Sequence, residues 1–180
     1  MADELEQLKY PIGRYVKPDS YTEADLKEWI SVLETLPNWI DLCIENLDEA
    51  QLQTPYRPDG WTVHQAVHHV ADSHMNAYIR LKLGLTEDNP TIKPYAEAEW
   101  AKLADVSTVP VNVSNTLIHA LHRRWVAVLK NMKPADWERT VFHPEKNRNL
   151  TLWELTALYA WHSRHHTEHI RSLRERMGWQ

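Results

Sequence analysis

The chain carries a single cysteine, Cys43, among its 180 residues. A lone thiol excludes an internal disulfide framework and suits a reducing, cytoplasmic compartment. Cys43 lies in an apolar-periodic stretch with no base beside it, so it reads as a core filler rather than a reactive thiol. Glycine is scarce, at four residues, which argues against a β-rich fold full of tight turns. Basic runs are missing, and the formal net charge is −5. This excludes an electrostatic footprint for nucleic acid and a basic face for an anionic membrane. No apolar run approaches the roughly 18 residues that a transmembrane helix needs. The opening residues, MADELEQLKY, are acidic and lack an apolar core, so no signal peptide is expected there.

Other features are plentiful. Apolar residues make up 43% and charged residues 25%, a globular mix that fits one domain over residues 1–180. Eleven histidines prompt a search for a metal or proton-transfer site, and nine tryptophans supply large apolar faces.

Four long amphipathic helices are predicted. Residues 1–21 read as an irregular arm, because KYPIGRYVKPDSY holds prolines and a glycine. Its Tyr10, Ile12 and Tyr15 are expected to pack on the helices. The first helix spans 23–47 behind an N-cap at Thr22, with Pro37 expected to kink or split it. The second spans 63–83, with Thr62 and Gln65 at capping-box spacing and Gly84 at its end. Residues 85–111 form a long insertion containing a short helix in EAEWAKL, either a binding loop or a cover over the core. The third helix spans 112–132, and a polar stretch follows with an extended piece near 140–143. The fourth spans 152–176, opened by a capping box at Thr151 and Glu154. The expected fold is all-α, an up-down four-helix bundle or a close variant, with long crossover loops.

The fourth helix, TLWELTALYAWHSRHHTEHIRSL, is informative. At about 100° per residue, Leu152, Leu155, Tyr159, Ile170 and Leu173 form one stripe. His162 and His166 fall within it, one turn apart. His169 lies near its edge and His165 further round, toward solvent. Paired i, i+4 imidazoles on a buried face can converge on one ion, or each can find an ordinary core partner. On the second helix His64, His68, His69 and His74 all qualify as a further ligand, and projection does not choose among them. His119, His122 and His143 read as surface or packing residues.

Several segments occur in an order that resembles the DinB/YfiT-like family of bacterial metalloproteins. They are KYPIGRY, TPYRPDGWTVHQAVHHVADSHMNAYIRLKL, LTEDNPTIKPY and LYAWHSRHHTEHIRSLRERMGW. The resemblance covers nearly the whole chain. It is nearest to the YfiT-type branch, described as metal-dependent hydrolases and linked to bacillithiol S-transferases. It implies a four-helix bundle with one divalent ion, often in a homodimer. It also implies the ligand set: His69 before Val-Ala-Asp, His162 after Tyr-Ala-Trp, and His166 four residues later. The choice of His69 over His68 comes from the resemblance alone.

Three imidazoles would leave an ion its full charge and an open position, the layout of a catalytic site. Zinc and nickel both suit imidazole. Two chemistries on a small-molecule substrate follow: hydrolysis by activated water, or transfer of a low-molecular-weight thiol such as bacillithiol to an electrophile. A metal-stabilised helical module without turnover is the third reading. Asp72 and Glu168 are the carboxylates nearest the ligands in sequence, each a supporting residue or a plain surface acid.

Overall fold

The computed structural model describes residues 2–179. In chain order the elements are α1 (Ala2–Lys9), α2 (Glu23–Ile44), α3 (Glu49–Leu52), α4 (Val63–Thr86), α5 (Glu97–Trp100) and α6 (Ala104–Thr108). There follow α7 (Val111–Leu129), α8 (Pro134–Trp137), β1 (Thr140–His143), β2 (Arg148–Thr151) and α9 (Leu152–Met177). Among the described residues, no helix is long and apolar enough to cross a membrane.

The long helices begin where their side chains can satisfy the first free backbone N–H groups. Thr22 with Asp25, Thr62 with Gln65 and Thr151 with Glu154 each form a reciprocal capping box. The ends are closed by guanidinium groups as well as by backbone. Arg174 donates to the carbonyls of Leu42, Cys43 and Glu45 at the C-terminal end of α2. Arg139 donates to Gly84 O and Glu87 O at the end of α4. Gly178 closes α9 at φ 66°, a left-handed conformation that favours glycine.

The four long helices form the expected bundle, in an up-down-down-up order. Trp29 against Trp153 and Cys43 Sγ near Thr167 O show that α2 and α9 run parallel. Lys130 with Glu34 and His119 with Asp41 show that α2 and α7 run antiparallel. Both α2 and α4 pack against α7 and α9, so α2 and α4 face each other across the bundle. The chain from α4 to α7 must therefore return along the bundle, which is why residues 87–110 are long. That crossover holds two short helices, α5 at the expected EAEW and α6, which the sequence reading did not anticipate.

Three further expectations need correction. The arm is not irregular throughout: ADELEQLK forms α1, since good helix formers precede Pro11 and Lys9 suits the last turn. Of the two outcomes expected of Pro37, the split does not occur: α2 runs unbroken through it. Gly84 does not end α4 but lies within its last turns, where it lets β1 and α9 approach. A Cβ at Gly84 would meet Leu152 Cδ2 at 2.6 Å and Val141 Cγ1 at 3.0 Å. The hairpin β1–β2, in register Thr140↔Thr151 to His143↔Arg148, closes this end of the bundle.

Two apolar clusters fill the interior. One, near the hairpin, gathers Leu33, Leu81, Trp125, Val141, Leu152 and Tyr159. The other, at the opposite end, gathers Leu36, Ile40, Val67, Ile118 and Ile170. Burial of each such side chain contributes about 1.5–3 kcal/mol. Between the clusters, on α4, α7 and α9, lies a layer of histidines.

Gly84→Val should lower stability in chemical denaturation by about 1–3 kcal/mol through overpacking against Leu152 and Val141. An unchanged midpoint would show that this contact is slack.

Candidate metal centre

His69 on α4 faces His162 and His166 on α9. One ring nitrogen from each lies within 4.8 Å of the others. The Nε2 atoms of His69 and His162 are 3.3 Å apart. Tetrahedral bonds of about 2.0–2.1 Å would place neighbouring nitrogens roughly 3.3 Å apart, so the spacing fits an ion. Trp61 packs over the pair, with ring centroids 4.4 Å from His69 and 6.4 Å from His166. His166 Nδ1 is buried with no hydrogen-bond partner among the described residues.

The electrostatics suit ligation. Burial, and then the neighbouring His165, push His69 down to about 4. Burial likewise drives His162 and His166 well below the ordinary imidazole value, with neighbouring histidines adding to the effect. All three are then neutral near pH 7, with lone pairs available.

The remaining histidines divide by what they touch. His68 turns to the α6–α7 corner, where Nε2 lies 3.2 Å from Val109 O and Nδ1 2.7 Å from Ser114 Oγ. His64 Nε2 meets the same carbonyl at 3.2 Å. Only His69 of the two adjacent candidates therefore joins the cluster on α9. His165, expected toward solvent, is buried, because Trp161 stacks on it at 4.5 Å and Tyr10 covers it at 6.1 Å. Its Nε2 meets His169 Nε2 at 3.0 Å. His74 and His122 are buried behind the cluster: His74 Nε2 lies 3.0 Å from His162 Nδ1, and His74 Nδ1 lies 2.9 Å from His122 Nε2. From sequence His122 reads as a surface or packing residue, and His74 as one of four candidate ligands on the second helix; the structure places both behind the converging rings instead. Their spacing carries no signal that would have linked them.

Neither expected carboxylate reaches the cavity. Glu168 pairs with Arg171 at 2.6 Å and lines a separate groove beside α2. Asp72 is half-buried, and burial followed by Asp105 raises its carboxyl to about 6. The 560 Å³ cavity over the cluster instead receives Glu97 from α5 and Asp59 from the loop before α4, with Lys9 and Arg57 also lining it. The short helix is expected from the sequence, but no local pattern there marks Glu97 as reaching the site.

A family model described as the DinB superfamily matches residues 25–170. The chain belongs to the DinB superfamily. A Bacillus mycoides (strain KBAB4) protein named "Putative metal-dependent hydrolase" is 53% identical over 97% of this chain and 100% of its own. A Bacillus thuringiensis subsp. konkukian protein with the same description is 51% identical over the same shares. Among solved structures, this DinB-superfamily chain is similar to YfiT from Bacillus subtilis at a TM-score of 0.94 and 45% identity, covering 97% of this chain and 99% of that one. That protein is described as "a probable metal-dependent hydrolase with an unusual four-helix bundle topology".

The buried rings also set an acid limit on stability. His122, like His69, is held down to about 4 by burial, with the Leu33 carbonyl opposing and His119 adding to the drop. An unfolded chain takes up these protons near pH 6.5, before the folded one does. This contribution is complete above about pH 6.5 and is lost as pH falls toward about 4. The metal-free protein should lose roughly 10 °C of thermal midpoint between about pH 7 and 4.5. A flat profile in calorimetry would contradict neutral buried rings.

Proposed function

We propose that His69, His162 and His166 hold one divalent ion, zinc or nickel, and that the protein hydrolyses a small-molecule substrate. One observation carries the reading: nitrogens of three histidines converge within 4.8 Å, beside a 560 Å³ cavity. Neutral ligands leave the ion's charge uncompensated and a coordination position open. When bound, such an ion supplies a Lewis acid and lowers the pKa of water toward neutrality.

The protein's own groups do the rest. Glu97 and Asp59 are the cavity carboxylates available to take a proton from the nucleophile. Trp61, Tyr56 and Trp161 line the cavity with aromatic surface and limit water around the reacting atoms. Arg57 and Lys9 offer positive charge to a polar substrate.

A second reading is metal-dependent S-transfer from a low-molecular-weight thiol such as bacillithiol. It is favoured by a cavity roomy enough for a thiol and an electrophile together, and by the outward turn of Glu168 into its pair with Arg171. Metal-loaded protein would be offered ester and amide panels, and separately thiols with monochlorobimane. Thiol-independent turnover supports hydrolysis, and turnover that requires thiol supports transfer. Chelation should abolish either activity while leaving helical circular dichroism largely intact. Loss of the helical signal with the metal would favour a purely structural ion.

His162→Ala and His166→Ala should each lose stoichiometric metal, measured by atomic emission, with helical content near wild type. His68→Ala should retain it. Full metal occupancy in the His166 variant would overturn the ligand set.

A further inference from the structure

We propose that Leu33, His122 and His74 form a positioning relay, set by Pro37, that holds His162 as its Nδ1–H tautomer and presents its Nε2 lone pair to the ion. The proposal rests on the three-histidine reading of the site.

The relay begins with what a proline lacks. In an α-helix the N–H of residue 37 would donate to the carbonyl of residue 33, and Pro37 has none. Leu33 is fully buried, so its carbonyl needs another donor. His122 Nδ1 supplies it from α7 at 2.6 Å. A carbonyl oxygen only accepts, so the hydrogen sits on His122 Nδ1. A neutral imidazole carries one N–H, which leaves His122 Nε2 as an acceptor. It receives the Nδ1–H of His74 at 2.9 Å. His74 Nε2 is then an acceptor in its turn, and it receives the Nδ1–H of His162 at 3.0 Å. The lone pair of His162 is thereby left on Nε2, the atom 3.3 Å from His69 Nε2.

Reversing the chain would turn a lone pair of His122 toward the lone pairs of Leu33 O, leaving a buried carbonyl without a donor. Packing holds the rings in this alignment. Trp125 lies 5.7 Å from His74 and 5.5 Å from His122, and Tyr159 lies edge-on to His74 at 5.1 Å. His74 is 0% and His122 1% exposed, so water does not compete. Ligating histidines often donate their second N–H to a carboxylate. Here the series ends on a neutral carbonyl, so His162 is oriented without a negative charge that would offset the ion's own.

The experiment uses the full chain, metal-free and with Zn²⁺ as the probe. Long-range ¹H–¹⁵N spectra of metal-free protein labelled with ¹⁵N-histidine should show His122, His74 and His162 all as Nδ1–H forms. Finding His162 as the Nε2–H form overturns the relay. His122→Phe removes both of its hydrogen bonds, and Zn²⁺ affinity, measured by competition with a chromophoric chelator, should fall roughly 10–100-fold. His122→Gln keeps a donor and an acceptor and should restore affinity close to wild type. Wild-type affinity in a folded His122→Phe protein overturns the positioning role. If His122→Phe does not fold, the wild-type tautomers and the His122→Gln affinity decide the matter. Wild-type protein that binds no Zn²⁺ would instead sink the metal site itself, a result distinct from failure of the relay alone.

Discussion

An imidazole nitrogen taken out of water needs a partner, or it costs about 1–3 kcal/mol. The middle of this bundle is organised by that requirement. Two apolar clusters close the ends, and between them histidines on α4, α7 and α9 must satisfy one another. Most do so by neutral ring-to-ring or ring-to-carbonyl contacts. His68 and His64 share Val109 O, and His165 meets His169. At the meeting of His69, His162 and His166 three ring nitrogens converge instead, and among the described residues the Nδ1 atoms of His166 and of the adjacent His165 have no partner. That is the arrangement an ion resolves, because a cation accepts several lone pairs at once.

The order of the helices makes this meeting possible. Because α4 packs against α9, one side chain on α4 can face two that lie a turn apart on α9. The parallel partner of α4 is α7, and this brings His122 level with His74. The parallel relation of α4 and α7 requires the long return of residues 87–110, and the same segment carries Glu97 into the cavity. The length of the crossover and the chemistry of the site therefore have one cause.

Membership in the DinB superfamily and similarity to proteins named as metal-dependent hydrolases agree with this geometry. The physical content lies in the donor set. Burial keeps the three candidate ligands neutral, so none of them would quench the charge of an ion held there. Pro37 contributes at a distance by freeing a carbonyl in an otherwise continuous helix.

Much of this was legible in the sequence. The capping boxes at Thr62 and Thr151 and the apolar periodicity set the starts and phases of α4 and α9, because those signals are local along the chain. The i, i+4 spacing of His162 and His166 on the buried stripe was visible for the same reason. Three things needed the tertiary structure. His69 and His68 lie on opposite flanks of their helix, and only the position of α9 on one side and Val109 on the other separates them. His165 depended on the arm that covers it, and the exclusion of Glu168 on where α9 faces the groove beside α2. The link from Pro37 through His122 and His74 joins three helices by hydrogen bonds between residues far apart in the chain. Spacing along one helix reports which side chains share a face, but not what lies opposite that face.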